Sequence, residues 1–339
     1  MLDAAPYVYA KACGIIGKSF VGKRISSLAG LRSLSELDRL VFPDHHRDLP
    51  GRELLTDIEN RIIDRTVRQI MAIVGSDAEP PEIIVRMLRS YEYGDLKICI
   101  QHIASGEKKP PRFCDIGRFS TVRFDAFPDM NAMLRNTEFE FLLPHDLKNL
   151  KKGSDTVPVE TKIDSLFYNS LVESLNSLSS EDREITQRIL ADEISLRNCT
   201  WALRLRTYYR KMASEALKHL MNIKLRGDRS TSLSAEAVQS LNFPLDSRSS
   251  WQGWKWEKLL NSEQASSHWA ADPRHFQNAA SGYLYRLAMR CFHRVPMSVS
   301  SVFCFIKIKQ FEEDLLTSIA EGLALGIDSA SVFRLLEVS

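Results

Sequence analysis

The chain has 339 residues, and its 45 lysines and arginines nearly balance its 43 aspartates and glutamates, leaving a formal net charge of +2. This balance argues against a protein that binds along the phosphate backbone of a nucleic acid, because such binding requires strong positive charge on the protein. Only 15 residues are glycine, which disfavours glycine-rich nucleotide-binding loops and β-rich folds with many tight turns.

The apolar residues never form an uninterrupted run of 18, so the sequence predicts no membrane span. The N-terminal residues lack the basic and apolar regions of a signal peptide, and the six cysteines are scattered without a CxxC pair. We therefore expect a cytoplasmic protein whose cysteines are mostly buried thiols. We expect no disulfide framework, no metal site and no cofactor.

Long helices are predicted for the first third of the chain. Apolar residues within 55–74 recur at intervals of three and four, which is typical of one face of an α-helix, and Gly75 offers a stop. Pro80-Pro81 predicts the start of a second helix that continues to Gly106. Residues 107–160 contain several prolines and predict a connection between domains.

Helical periodicity returns in the middle of the chain. Residues 163–178 predict one helix, and Ser179 is positioned to cap the next, which we expect to run to about Lys224. Residues 227–250 are rich in polar residues and predict a second connection. Helical signal resumes near Trp251.

The C-terminal part predicts three more helical segments. The first covers residues 282–292, and the second begins at Pro296 and ends near Gly326. Asp328 is positioned to cap a short final helix. Since strand signals are few, the predicted fold class is all-α.

A pattern recurs in three of the predicted helices, where a short polar residue precedes an apolar pair spaced four residues apart. These residues are Asp95, Leu96 and Ile100; Asn198, Cys199 and Leu203; and Asp314, Leu315 and Ile319. The interval between copies indicates three copies of one helical unit. The predicted domains are residues 1–112, 113–226 and 227–339.

The segments around these positions resemble a known family. They are Tyr91-Glu92-Tyr93-Gly94-Asp95-Leu96-Lys97, Ile163-Asp164-Ser165-Leu166-Phe167, Glu193-Ile194-Ser195-Leu196-Arg197-Asn198 and Glu312-Glu313-Asp314-Leu315. Together they resemble the C subunit of the V/A-type ATPases, whose eukaryotic relative is the d subunit of the V-ATPase. The chain departs from the family pattern, with aspartate in place of asparagine at positions 95 and 314, Ser195 in place of aspartate and Cys199 in place of leucine.

The resemblance implies a funnel-shaped, all-helical protein of three similar helical-bundle domains in a pseudo-threefold arrangement. Such a protein would be a central-stalk rotor subunit that links the central shaft to the membrane rotor ring and transmits torque for proton or sodium transport. It would catalyse no reaction, would bind no cofactor and no nucleic acid, and would be peripheral to the membrane through the ATPase complex. The alternatives are an unrelated α-helical adaptor or scaffold protein and an NTPase.

Three other motifs have competing interpretations. Gly17-Lys18-Ser19 resembles the end of a phosphate-binding loop, but Ala12 stands where that motif requires glycine. His45 and His46 suggest a metal cluster, although adjacent histidines on a helix point apart, which favours a solvated loop. Trp251, Trp254 and Trp256 suggest either a nucleic-acid stacking surface or, as we favour, a helix packed into a core.

A basic stretch follows the second copy of the pattern. It consists of Arg204, Arg206, Arg210 and Lys211. The default interpretation of this stretch is a solvated helix face. The alternative, more specific interpretation is a contact surface for an acidic partner.

Overall fold

The computed structural model describes residues 5–225, 232–262 and 268–336. Throughout these ranges the chain is built from α-helices, short 3-10 turns and loops, and the only β-type pairing in them is an isolated bridge between Lys224 and Ser232. The prediction of an all-α fold is therefore confirmed. The predicted domain boundary at residue 226, and the first four residues, which bear on the expected absence of a signal peptide, lie outside the described residues.

The α-helices of the described ranges are numbered in chain order. They are α1 (Ala5–Lys18), α2 (Leu34–Val41), α3 (Gly51–Val74), α4 (Glu82–Leu88), α5 (Ser90–Ser105), α6 (Met130–Leu134), α7 (Val157–Ser174), α8 (Ser180–Thr207), α9 (Ala213–Ala216), α10 (Ala235–Ser240), α11 (Pro273–Phe292), α12 (Val299–Ala324) and α13 (Ser329–Leu336).

Helix α12 is the centre of the molecule. It packs against α1, α2, α3 and α4 from the first third of the chain, against α8 from the middle, and against α11 and α13. Its apolar residues lie on all sides, and its buried positions include Phe303, Phe305, Ile306 and Ile308. A helix that is apolar all round is stable only inside a core, so the three parts of the chain assemble around α12.

The start of α12 and the start of α8 are capped by serines. The Ser298 hydroxyl accepts a hydrogen bond from the Ser301 amide, and the Ser301 hydroxyl accepts from the Ser298 amide in return, which forms a capping box. Ser179 caps α8 by accepting from the Asp182 amide, as predicted. These caps fix where the two longest helices begin.

A buried ionic network joins α12 to the N-terminal segment. Lys309 pairs with Glu312 and donates to the Ser19 hydroxyl over 2.9 Å, while Glu312 accepts from the Phe20 amide over 2.7 Å and pairs with Arg65 on α3 at 3.1 Å. Burial opposes ionisation of Glu312, but Lys309 and Arg65 outweigh it and lower its pKa. Since Gly17-Lys18-Ser19 lies at the C-terminal end of α1, it lacks the helix N-terminus that a phosphate loop uses.

Apolar side chains form two cores. The larger core contains residues from the helices between α1 and α8 and from α11 and α12. The smaller core lies between the C-terminal half of α8, α10, the tryptophan segment and the first half of α11. The smaller core draws residues from both sides of position 226, from Leu196 to Ala280. The three-domain division remains a prediction.

Several predicted helix limits are wrong. Helix α7 covers Val157–Ser174 and not 163–178, the helix predicted from Pro80-Pro81 to Gly106 is divided into α4 and α5, and α12 begins at Val299 and not at Pro296. The limits of α8 and α11 differ most. Helix α8 ends at Thr207 and not near Lys224, because the chain turns back through Arg210, whose φ of 50° is left-handed. Helix α11 begins at Pro273 and not at 282, because Asp272 caps it by accepting from the Arg274 amide and proline occupies the first helical position. The Asp-Pro pair is the signal that apolar periodicity alone overlooks.

The tryptophan segment forms a core, as favoured, but not a long helix. Trp251, Trp254 and Trp256 are buried, and the segment consists of single 3-10 turns. Gly253 has a φ of 81°, which a continuing helix cannot contain. Trp256 donates to the Ser195 hydroxyl on α8 at 3.0 Å. Its ring is only 4% exposed, so its faces are not available for base stacking.

The remaining expectations concern cysteines, histidines and membrane helices. Cys99, Cys199, Cys291 and Cys304 are buried, as expected for most of the cysteines. The His45-His46 pair lies in the loop between α2 and α3, as favoured. None of the helices in the described ranges has the length and apolar character needed to cross a bilayer.

Candidate functional site

A cavity of about 680 Å³ opens between the helices and is lined by residues of α3, α5, α7, α8, α11 and α12. The polar residues of all three copies of the repeated pattern, Asp95, Asn198 and Asp314, lie in its wall. Residues that are far apart in the sequence thus meet at one site. This convergence makes the cavity the candidate functional site.

Helix geometry explains why the polar residues face the cavity. The apolar pair that follows each of them is buried in the core, namely Leu96 and Ile100, Cys199 and Leu203, and Leu315 and Ile319, all at most 2% exposed. A residue one position earlier on a helix points about 100° away. Burying the apolar pair therefore turns the polar residue toward the cavity.

Asp95 anchors a backbone segment. Its carboxylate accepts a hydrogen bond from the Cys114 amide over 2.6 Å, which holds the irregular segment after α5 against that helix. Burial raises the pKa of Asp95 to about 6, although the bond from Cys114 acts in the opposite direction. Loss of hydration therefore outweighs the hydrogen bond at this position.

Asn198 anchors the corresponding segment after α8. Its side-chain oxygen accepts from the Met221 amide at 2.9 Å, and its side-chain nitrogen donates to the Met221 carbonyl at 3.0 Å. Both Asn198 and Met221 are buried. The amide group thus satisfies both backbone groups of one residue, which a carboxylate cannot do.

Asp314 differs from the other two positions. Its side chain is exposed in the cavity, and within the described ranges no group donates a hydrogen bond to it. The surrounding protein limits its hydration and raises its pKa to about 6, while Arg197 and Lys307 partly offset that effect. Its neighbour Glu313 accepts from the Tyr91 hydroxyl at 2.9 Å, and burial raises the pKa of Glu313 to about 7.

A group of charged residues near Asp314 spans α8 and α12. Lys307 pairs with Glu193 at 2.6 Å, and Glu193 also accepts from the Tyr168 hydroxyl at 2.8 Å. Burial opposes ionisation of Glu193, but Lys307 and Arg197 outweigh it and lower its pKa. The Arg197 side chain is 56% exposed and lies over the Tyr168 ring. Arg197 therefore presents a positive charge to the cavity.

Carboxyl groups outnumber basic groups in the cavity wall. The lining includes Asp95, Glu160, Asp164, Glu193, Glu313 and Asp314 against Arg197, Arg204 and Lys307. Sequence reasoning missed Glu193, Lys307, Arg197 and Glu313. The one available signal was Lys307 and Lys309 in an otherwise apolar helical run, since lysines there require buried partners.

The predicted basic stretch divides into two parts. Arg204 bonds to Gln277 on α11, and Arg206 donates to the Ser240 carbonyl at 2.9 Å, so both are held by this chain's own groups. Arg210 and Lys211 are exposed, beside Tyr208, Tyr209 and Met212, which are 50%, 55% and 71% exposed. We call residues 208–218 the α8 tip. It is fixed by the Lys211 amide, which donates to the Leu205 carbonyl over 3.0 Å, and by contact of the Tyr209 and Trp201 rings.

The described ranges contain no cluster of three or more histidine, cysteine or acidic residues arranged to hold a metal ion. The polar and charged side chains in the cavity wall can form hydrogen bonds and ion pairs. These groups suit recognition of a polar segment of another molecule.

Comparison with known proteins gives two informative relatives. A protein of Treponema pallidum (strain Nichols), described as uncharacterized, is 27% identical over 325 residues, which cover 94% of this chain and 92% of the relative. The C subunit of the A-type ATP synthase of Haloferax volcanii is 23% identical over 269 residues, which cover 76% of this chain and 74% of the relative. The family model described as the ATP synthase (C/AC39) subunit matches residues 43–332, and because that match takes in most of the chain, the protein belongs to this family.

Proposed function

We propose that this chain is a non-catalytic central-stalk component of a V/A-type rotary ATPase that links the central shaft to the membrane rotor ring and transmits torque during proton or sodium transport. The observation that carries the proposal is that Asp95, Asn198 and Asp314 line one cavity in a member of the ATP synthase (C/AC39) subunit family. The end of the shaft would enter this cavity.

The size of the cavity supports an occupant of that kind. One turn of an α-helix with its side chains fills roughly 400 to 600 Å³, so a cavity of about 680 Å³ accommodates the tip of a helical or looped segment. The excess of carboxyl groups in its wall favours a segment with net positive charge. The end of a shaft fits this space, whereas a whole domain does not.

The packing around α12 supports a role in carrying torque. Helices from the beginning, middle and end of the chain contact α12 directly, and their interior is filled with close-packed apolar side chains. Interiors packed in this way have low compressibility and transmit strain. The α8 tip, with exposed Arg210 and Lys211, is proposed as a contact for an acidic surface of a neighbouring subunit.

The experiment is affinity purification of the tagged full chain from detergent-solubilised membranes, with partners identified by mass spectrometry. We expect shaft and ring proteins to copurify in stoichiometric amounts. Recovery of neither would overturn the proposal, and recovery of other partners would indicate the adaptor or scaffold protein.

A cavity-filling variant separates the two contacts. Ser281→Trp places a large ring in the cavity wall, whereas Ala324→Trp places the same ring at an exposed position outside it. We expect Ser281→Trp to lose the shaft proteins and keep the ring, and Ala324→Trp to keep both. Unchanged shaft recovery with a folded Ser281→Trp protein would contradict insertion of the shaft into the cavity.

A further inference from the structure

Two of the three repeated polar residues perform the same task. Asp95 on α5 accepts from the backbone amide of Cys114, 19 residues later, and Asn198 on α8 accepts from the backbone amide of Met221, 23 residues later. In each case the acceptor lies in a long helix and the donor lies in the irregular segment that returns beside it. In both copies, therefore, the polar residue binds a backbone segment that passes beside its helix.

Asp314 has the same setting but no such segment. It precedes the buried Leu315 and Ile319, as Asp95 precedes Leu96 and Ile100. The corresponding interval after Asp314 reaches the end of α13, a helix that packs against α11 and α12 and places Val332 next to Gly322. That contact lies about two helical turns from Asp314. Helix α13 is therefore not the equivalent of the segments at Cys114 and Met221.

The carboxylate of Asp314 consequently stays open to the cavity. Arg197 and Lys307 act on it through charge, but within the described ranges neither forms an ion pair or a hydrogen bond with it, and Lys307 is already paired with Glu193. The position is ready to accept an N–H group.

We infer that Asp314 binds a backbone amide of the partner segment that enters the cavity. At Asp95 and Asn198 the protein's own chain provides the bound backbone segment, and at Asp314 the partner provides it. This inference rests on the proposed function, because the partner segment is taken to be the end of the central shaft. It specifies the kind of contact, namely an amide donor from a non-helical stretch of the shaft, and not a lysine or arginine side chain.

Asn198 provides the reason to choose an amide over a cation. Since an uncharged asparagine performs the task in the second copy, the task needs an acceptor oxygen and does not need a negative charge. The two kinds of partner group therefore predict opposite results for an asparagine at position 314. A backbone amide tolerates the substitution, and a cationic side chain does not.

The test measures binding of the purified full chain to the central-shaft proteins of the ATPase from the same organism, by calorimetry at pH 7.5. We expect Asp314→Asn to bind within about threefold of the wild type and Asp314→Ala to bind about tenfold or more weakly, as expected for loss of a hydrogen bond to a charged acceptor. Glu321→Ala is the matched control, because Glu321 is an exposed carboxylate on the same helix outside the cavity. We expect no change for it.

Each other outcome overturns a defined statement. If Asp314→Asn weakens binding as much as Asp314→Ala, the partner group is cationic and the inference is wrong. If Asp314→Ala binds like the wild type, Asp314 makes no contact and only this inference fails. If the folded wild type does not bind the shaft proteins, the proposed function fails as well. Amide hydrogen exchange in the complex adds a direct readout, since a protected shaft amide should appear with wild type and Asp314→Asn but not with Asp314→Ala.

Discussion

At the scale of single residues, one position of the repeated pattern binds a backbone amide with either of two side chains, an aspartate or an asparagine. Asp95 and Asn198 each accept a hydrogen bond from a backbone amide, but only Asn198 also donates to the carbonyl of the same residue. Burial of Asp95 makes its charge unfavourable, as the raised pKa indicates. The acceptor oxygen of Asp95 therefore stabilises the fold, whereas its buried charge destabilises it.

This interpretation predicts different effects for two substitutions at Asp95. Asp95→Ala leaves the Cys114 amide without an acceptor and should lower the free energy of unfolding by about 1 to 3 kcal/mol. Asp95→Asn keeps an acceptor and removes the buried charge, so at pH 8 its stability should stay within about 1 kcal/mol of the wild type. Urea denaturation followed by circular dichroism measures both. Equal losses for the two variants would show that the charge itself stabilises the fold.

A second prediction concerns Glu313 and pH. Its pKa rises from an ordinary 4.5 to about 7 on folding, so between these values the folded protein binds more protons than the unfolded chain. The free energy of unfolding should therefore fall as pH rises through this window. Glu313→Gln cannot ionise but can still accept from Tyr91, so it should be more stable than the wild type by about 3 kcal/mol at pH 8 and equal to it near pH 4.

The measurement for Glu313 is urea denaturation at several pH values between 4 and 8. Asp95 and Asp314 also have raised pKa values, so the variant should flatten the slope without removing it. Glu193 and Glu312 have lowered pKa values and act in the opposite sense, since their contribution is lost as the pH falls below about 4.5. A wild-type stability that rises steadily from pH 5 to 8 would refute this explanation.

At the scale of elements, local signals predict the helices better than their ends. The periodicity over 55–74 and the Gly75 stop identify the core of α3, which begins four residues earlier, at Gly51. The end of α8 escapes prediction because Arg210 adopts a left-handed conformation that no composition rule assigns to arginine. At the tryptophan segment, Gly253 breaks a spacing that otherwise looks helical. Propensity fails where tertiary contacts select the backbone conformation.

The cavity is only partly predictable for a similar reason. The repeated pattern identifies Asp95, Asn198 and Asp314, because each sits before a buried apolar pair on a helix of sufficient length. Nothing in the sequence pairs Glu193 on α8 with Lys307 on α12, since the two helices meet only through the packing of the whole chain. Contacts between distant elements carry no local periodicity.

The α8 tip yields a prediction at this scale. Its exposed tyrosines and cations are residue types enriched at protein interfaces, and its loop is held in place by Leu205 and Trp201. If the tip contacts an acidic surface, the double variant Arg210→Glu and Lys211→Glu should weaken binding to the assembled ATPase by about tenfold or more at low salt, with a smaller loss at high salt.

The matched control for the tip reverses two charges elsewhere. Lys108 and Lys109 are exposed in the loop after α5, outside the tip and the cavity wall, so their replacement by glutamate changes net charge by the same amount. Binding measured over a range of salt concentrations should respond to the tip variant alone. Equal losses for both variants would indicate an effect of net charge and not of the tip.

At the scale of the whole molecule, α12 connects the two ends of the chain. Ser19 and Phe20 at the end of α1 bind Lys309 and Glu312, and the pair is completed by Arg65 from α3. The Lys309 side chain is almost completely buried, and burial lowers its pKa although Glu312 opposes that change. Removing Lys309 leaves the buried Glu312 with only the partial compensation that Arg65 and the Phe20 amide provide, and an under-compensated buried charge is costly.

We therefore expect Lys309→Met to destabilise the protein by about 3 to 5 kcal/mol, because Glu312 loses its closest cation while methionine fills the same space. The loss should extend to the N-terminal segment, since the Ser19 hydroxyl loses its donor and α1 is held to α12 partly through this contact. Urea denaturation measures the stability. Amide hydrogen exchange should show a larger increase over the wild type in α1 than in α7. Lys18→Met is the control, because Lys18 is exposed one residue before Ser19. If both variants unfold at the same urea concentration as the wild type, the buried network does not hold the ends of the chain together.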